Sequence, residues 1–300
     1  MRRRWFGAVL TATILSTTAG CTGPARFGDG DLTNDWPAID TVTSFVPDVG
    51  FCHTESGDVG SRADYDPVDC GRPHLVETVF VGTFAGVHAA GDTAPRPGSP
   101  ERTAARGVCD QRVKGFLGDY WQAGRVRLQI VLPSAPAWAG GARWYRCDVG
   151  EMTSMADRTF VSRTSSLAGA LGPDGPLRWG CFQPESVTDD GIGNLRPVAC
   201  SQPHQSEFAG LYVEDALSYD YFADNSVRVH ERCRAVVAGF ARLPVDGDLR
   251  FRFGTIYDYP FRDEWDEGNK TVRCLLWRED PPLVGTARNG GTAFLPIRFG

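Results

Sequence analysis

Three spaced motifs occur twice in the same order, and nothing else in the chain restricts its fold so tightly. Cys-x2-Pro-His-x2-Glu stands at Cys70, Pro73, His74, Glu77 and again at Cys200, Pro203, His204, Glu207. Cys-x5-Gly-Phe stands at Cys109, Gly115, Phe116 and at Cys233, Gly239, Phe240. Pro-x4-Trp-x2-Gly-x4-Arg-Cys stands at Pro133, Trp138, Gly141, Arg146, Cys147 and at Pro260, Trp265, Gly268, Arg273, Cys274. The offsets lie between 124 and 130 residues. A repeat of this kind implies two copies of one module, each with its own core. It also sorts the nine cysteines: eight fall four to a copy and Cys21 is left over.

The odd cysteine has a different context. Arg2, Arg3 and Arg4 precede a mostly apolar run from Trp5 to Thr17, which is too short to cross a bilayer. Residues 1–20 therefore read as an export signal. The stretch Thr18-Ala19-Gly20-Cys21 resembles a lipobox, whose cysteine receives a diacylglyceryl group. Two acyl chains (a palmitate-type anchor) hold a protein stably on a membrane, so Cys21 is the expected lipidation site. The alternative is a plain secretory signal. The expected location is the outer face of the cytoplasmic membrane, where disulfides persist. Losing the three arginines would take the net charge from −6 to −9. So acidic a protein is a poor partner for nucleic acid.

Residues 21–39 are polar and Gly-rich and read as a flexible spacer. Repeat 1 is expected over 40–150, a Thr-, Ser- and Gly-rich linker over 151–176, repeat 2 over 177–280 and a C-terminal tail over 281–300. Leu167 and Leu171 in the linker, and Phe294, Leu295, Ile297 and Phe299 in the tail, have the character to pack locally.

Within each copy a short strand carries the first cysteine, Cys52 or Cys181. A second strand follows the His motif, Val76–Phe84 or Glu207–Val213, rich in β-branched and aromatic residues. Ala105, Cys109, Val113 and Phe116 recur at helical spacing, as do Val229, Cys233, Val236, Val237 and Phe240. Val126, Leu128, Ile130 and Leu132 alternate as a strand; Leu249, Phe251 and Phe253 suggest its counterpart. The fold class is therefore α+β: two tandem small modules, each a short antiparallel sheet with one covering helix and two disulfides.

Four sulfurs allow three pairings per module. Joining sequence neighbours is the expected pattern: Cys52–Cys70 with Cys109–Cys147, and Cys181–Cys200 with Cys233–Cys274. The first pair closes a short loop, worth about 3 kcal/mol by restricting the unfolded chain. The second would tie the helix to the last strand. No two of these cysteines lie closer than 18 residues, which argues against a zinc site. No metal, cofactor or catalytic residue is assigned.

His74/Glu77 and His204/Glu207 would share a face on a helix, but a strand follows, where positions three apart face opposite ways. The expectation is a histidine shaping the turn and a glutamate facing solvent. Trp138 and Trp265 are expected in the shared core. Tyr219, Tyr221, Tyr257, Tyr259 and Phe261 belong to copy 2 alone, mixed with acidic residues. Such loops can stack on a sugar or hold a basic peptide; the plainer reading turns the aromatics inward and the acids outward. A Gly-x-Ser-x-Gly elbow is absent, and Gly191-Ile192-Gly193-Asn194 lacks a third glycine.

Together the two copies resemble the septum-formation domain of exported, membrane-anchored actinobacterial proteins. The likeness rests on Gly50, Cys52, Val68, Cys70, Pro73, His74, Glu77, Cys109, Trp138, Gly141 and Cys147, and on Cys181, Val198, Cys200, Pro203, His204, Glu207, Cys233, Trp265, Gly268 and Cys274. It implies a lipoprotein with two tandem domains and a part in division-septum formation, and it brings no catalytic residues. The function expected is a non-enzymatic envelope scaffold that binds another envelope or division protein. A wall-glycan or ligand sensor is the alternative, and a hydrolase or metal enzyme the least favoured.

Overall fold

The computed structural model describes residues 44–57, 65–188, 191–216 and 218–298. The export signal, Cys21, the spacer, the first four residues of repeat 1 and Phe299 lie outside the described residues. Both modules fall within one unit, Ser44–Gly300.

The first sheet contains β1 (Cys52–His53), β2 (Val76–Thr83), β3 (Val126–Val131) and β4 (Trp144–Glu151), in the spatial order β1-β2-β4-β3. Every pairing is antiparallel. Helix α1 (Pro100–Leu117) connects β2 to β3, and the one-turn α2 (Ala135–Ala139) precedes β4. The second sheet contains β5 (Cys181–Pro184), β8 (Leu195–Val198), β9 (Ser206–Val213), β10 (Gly254–Asp258) and β11 (Thr271–Trp277), in the order β10-β11-β9-β5-β8. A small two-stranded ribbon, β6 (Val187–Thr188) with β7 (Gly191–Ile192), lies between β5 and β8 in the chain. Its helices are α3 (Tyr219–Asp224), α4 (Ser226–Ala241), α5 (Arg262–Asp266) and α6 (Gly291–Phe294). The class is α+β, with two antiparallel sheet modules.

Register makes the modules superimposable in topology. Cys52 faces Glu77 across β1–β2, and Cys181 faces Glu207 across β5–β9. Cys147 faces Ile130, and Cys274 faces Tyr257. The ladder slips at Thr78/Phe80 in one sheet and at Cys274/Leu275 in the other, leaving Val79 and Ala209 as equivalent bulge residues. Even β8 has a counterpart: it pairs Val198 with Cys181, as an isolated bridge pairs Val68 with Cys52.

Helix α1 starts where the sequence asks it to. The Ser99 hydroxyl accepts from the Arg102 amide, Pro100 fills the first turn, and Gly118 ends the helix at φ 92°. Its buried face, Ala105, Cys109, Val113 and Leu117, packs on Leu128, Ile130, Cys147 and Val149. In module 2, Val229, Cys233, Val237 and Ala241 of α4 are buried on the helix side of their sheet. The four disulfides join sequence neighbours: Cys52–Cys70, Cys109–Cys147, Cys181–Cys200 and Cys233–Cys274. In each module one bond pins the helix to the final strand.

One expected strand lies elsewhere. Leu249–Phe251 forms a 3-10 turn and the strand begins at Gly254. Leu249 and Phe253 are both buried four residues apart, a spacing that a helical turn satisfies as well as alternation does.

Candidate functional site

The Pro-His-x2-Glu motif does the same work in both modules. Pro73 and Pro203 are exposed, and the histidine after each is buried. His74 Nδ1 donates to the Arg72 carbonyl at 2.7 Å, and His204 Nδ1 to that of Gln202 at 2.8 Å. Each histidine backbone forms a two-way bridge with a segment far along the chain, Arg163 for His74 and Leu283 for His204. The glutamates complete the attachment. Glu77 accepts from the Ser166 hydroxyl and the Leu167 amide, both at 2.8 Å. Glu207 accepts from the Thr286 hydroxyl and, at 2.7 Å, from the Ala287 amide.

Both carboxylates are about 4% exposed, so the expectation of a glutamate facing solvent is corrected. A buried carboxylate needs donors, and the turn it holds supplies two. Those turns are equivalent as well. Gly169 and Asn289 occupy the left-handed region at φ 70° and 60° and donate to the carbonyls of Phe116 and Phe240. The motif is a clamp that fastens the C-terminal stretch of each module to its sheet. Leu167 and Leu171, in the 151–176 stretch, are fully buried in the first core; Leu295, in the 281–300 stretch, is fully buried in the second.

Trp-x2-Gly closes a short helix. Gly141 and Gly268 both adopt φ 97°. Gly141 donates to the Trp138 carbonyl and Ala142 to that of Ala137; Gly268 donates to Trp265 and Asn269 to Glu264. That is a Schellman ending, and the left-handed position favours glycine. Trp138 is buried in the cluster holding Cys109 and Cys147, and Trp265 in the cluster holding Cys233 and Cys274.

The donor atoms of Cys181, His204 and Glu207 lie within 4.8 Å of one another, as do those of Cys52, Cys70 and Glu77. All the sulfurs concerned are in disulfides and offer no thiolate. These groups therefore do not form a thiolate metal site.

The aromatic and acidic loops of module 2 separate into two populations. Phe222 and Trp265 are buried and stacked at 5.1 Å, with Tyr219 and Tyr259 half-buried against them. Tyr257 is half-buried against His230. Tyr221 and Phe261 are exposed. The acids are not all turned outward. Asp258 and Glu264 accept from Arg158 at 3.0 and 2.7 Å, Arg127 lies 3.3 Å from Glu264, and Arg102 and Arg106 meet Glu267. Arg273 also binds Asp258, at 2.5 Å. These carboxylates form the seam to module 1. Sequence reading missed it because the partners stand 100 to 165 residues away.

Two further features distinguish the modules. Between β2 and α1 lies a groove of about 240 Å³ lined by Phe84, Ala104, Ala105, Val108 and Tyr145, with His88 and Glu101 3.2 Å apart at its rim. In module 2 the same register positions carry Glu214, Asp215, Arg228 and Arg232, which pair with one another. On the sheet face away from α1, His53 Nε2 lies 3.0 Å from the Thr78 hydroxyl. That hydroxyl donates to Asp148 at 2.9 Å, and Arg146 Nε donates to Asp148 at 2.8 Å. All four are buried. Burial raises the Asp148 pKa above its ordinary value, with Arg146 pulling the other way.

The fold and its shared motifs define a class: an α+β protein of two disulfide-stapled sheet modules whose common polar residues serve the framework. The family model described as septum formation matches residues 49–274, through both sheets, and the chain belongs to that family. No curated protein matches the chain, and no solved structure does. Among the described residues, no helix is long and apolar enough to cross a membrane.

Proposed function

We propose that the chain is a non-enzymatic envelope protein that carries two tandem septum-formation domains on a lipid anchor at Cys21 and binds another division or wall-assembly component. Family membership ties it to septum formation. One observation carries the binding role: the polar residues that the modules share are buried and bonded to their own chain. The His, Glu, Trp and Gly of both motifs hold turns and helix ends, which leaves the outer surfaces to do the recognising. Paired modules on one body also raise effective concentration toward a repetitive partner.

Cross-linking the intact protein on living cells and identifying the captured species tests this reading. Repeated capture of one septal or wall-synthesis component is expected; capture of only abundant neighbours would remove its support. Labelling with a palmitate analogue that survives Cys21→Ala would exclude the anchor.

A second reading, a wall-glycan sensor, draws on Tyr221 and Phe261, large side chains left about half exposed in module 2. Replacing Tyr221, Tyr259 and Phe261 by Ala with no change in retention on purified wall glycan would dismiss it.

A further inference from the structure

Equivalent positions at the ends of the two hairpins carry opposite charge. In module 1, Glu151 closes β4 and accepts from Arg125 and from Arg163, each at 2.6 Å. The carboxylate is thus the internal anion between two guanidiniums. The ladder pairs Val126 with Glu151, and in module 2 it pairs Gly254 with Trp277. One step outward places Arg278 where Glu151 stands and Arg252 where Arg125 stands. The module 2 hairpin therefore repeats the arginine and replaces its counter-ion with another arginine.

Arg250 and Arg298 join them. The four guanidiniums find backbone carbonyls or an aromatic ring. Arg252 Nη1 donates to Leu295 at 3.0 Å, Arg278 Nη1 to Phe294 at 3.2 Å and Arg298 Nη1 to Asp280, while Arg250 lies over the Phe251 ring. Among the described residues, no carboxylate lies within ion-pair distance of any of them. Arg252 is about nine-tenths buried, and the Nε atoms of Arg252 and Arg278 are buried without a hydrogen-bond partner. A buried donor left unpaired is destabilising, and more so when it is charged. Burial first, and then the neighbouring Arg298, lower the Arg278 pKa below its ordinary value. Arg250, Arg252 and Arg278 line a cleft of about 290 Å³ walled by Trp277, with exposed Glu279 and Asp280 also lining it. Three arginines against two acids leave the lining net positive in a chain whose net charge is −6.

We propose that this cleft binds a phosphate-class oxyanion, with Arg252 and Arg278 holding it, Arg250 adding charge in the lining and Arg298 adding charge beside Arg278. Guanidinium forks suit phosphate geometry, and the bound anion would take the role that Glu151 plays in module 1. The ligand's source is either a soluble phosphate compound or a phospholipid headgroup. The inference stands apart from the scaffold reading and survives its failure.

The test titrates the full chain with pyrophosphate by calorimetry, beside Arg278→Glu, which restores the internal carboxylate. Saturable binding is expected for the native chain, with affinity falling at least tenfold in Arg278→Glu while the thermal midpoint holds or rises. Arg250→Ala, at an exposed position, is expected to weaken binding several-fold and serves if the first variant fails to fold. No saturable binding by the native chain overturns the proposal. So does native-like affinity in Arg278→Glu or, where that variant does not fold, in Arg250→Ala. Retention on phosphatidylglycerol vesicles but not phosphatidylcholine vesicles, reversed by pyrophosphate, identifies a headgroup. Pyrophosphate binding without vesicle retention identifies a soluble source.

Discussion

The sheet faces turned away from the helices carry opposite chemistry on one framework. In module 1 that face holds His53, Thr78, Gln129 and Asp148; at the same register positions module 2 has Phe182, Phe208, Ile256 and Leu275. The apolar face packs with Ala123, Met152 and Met155, which belong to the module 1 side. The polar face has Tyr65 near it, with its ring 5.5 Å from that of His53. Disulfides and glutamate clamps thus fix the backbone firmly enough for one face to become an interface and the other a buried polar network. Energetically the two are unlike. An apolar face contributes by area, whereas a buried ion pair is close to neutral until one partner is lost.

That contrast can be broken most severely at Asp148. Asp148→Leu, the module 2 residue at this register, strands Arg146 and should cost about 3–5 kcal/mol in urea unfolding. Adding Arg146→Met should recover most of the loss; equal instability of the single and double variants would mean that the pair is not the cause. On the apolar side, Leu275→Ala should cost about 2–5 kcal/mol, since the residue is fully buried in the seam.

The helix-ending glycines should separate by a smaller margin. An alanine in the left-handed region costs about 1–2 kcal/mol. A Cβ at Gly141 meets nothing within 4 Å, whereas one at Gly268 meets Thr103 Cγ2 at 3.2 Å. Gly268→Ala should therefore be the more damaging of the two, and the reverse order would refute the packing argument.

Acidity offers the gentlest probe. Burial, then the charges of Arg146 and His74, lower the His53 pKa from 6.5 to about 4. The unfolded chain binds that proton more readily, so this contribution is complete above about pH 6.5 and is lost as pH falls toward 4. His53→Phe, which copies module 2, should flatten thermal stability across that window. A remainder should persist from His230, whose pKa burial and Arg234 also lower. An unchanged slope would contradict this assignment.

Much of the framework could be read from the chain because it is periodic. Cysteine offsets and the apolar spacing around Cys109 and Cys233 place the helices, and Val126 to Leu132 place a strand. The clamp could not be read. Glu77 and Glu207 bind a hydroxyl and a backbone amide some 80 to 90 residues away, and an amide carries no side-chain signature. Only Ser166 against Thr286 and Gly169 against Asn289 hint at it, both by similarity rather than identity. The seam hid for a related reason: Asp258 and Glu264 sit among aromatics in sequence but beside Arg158 in space.

The central claim, that each Pro-His-x2-Glu motif clamps its own module's C-terminal stretch, is tested most directly by amide hydrogen exchange in Glu77→Gln and Glu207→Gln. Glu77→Gln should deprotect the Leu167 turn and leave Ala287 unchanged, and Glu207→Gln should do the converse. Full protection at Leu167 in Glu77→Gln, or at Ala287 in Glu207→Gln, would contradict the account.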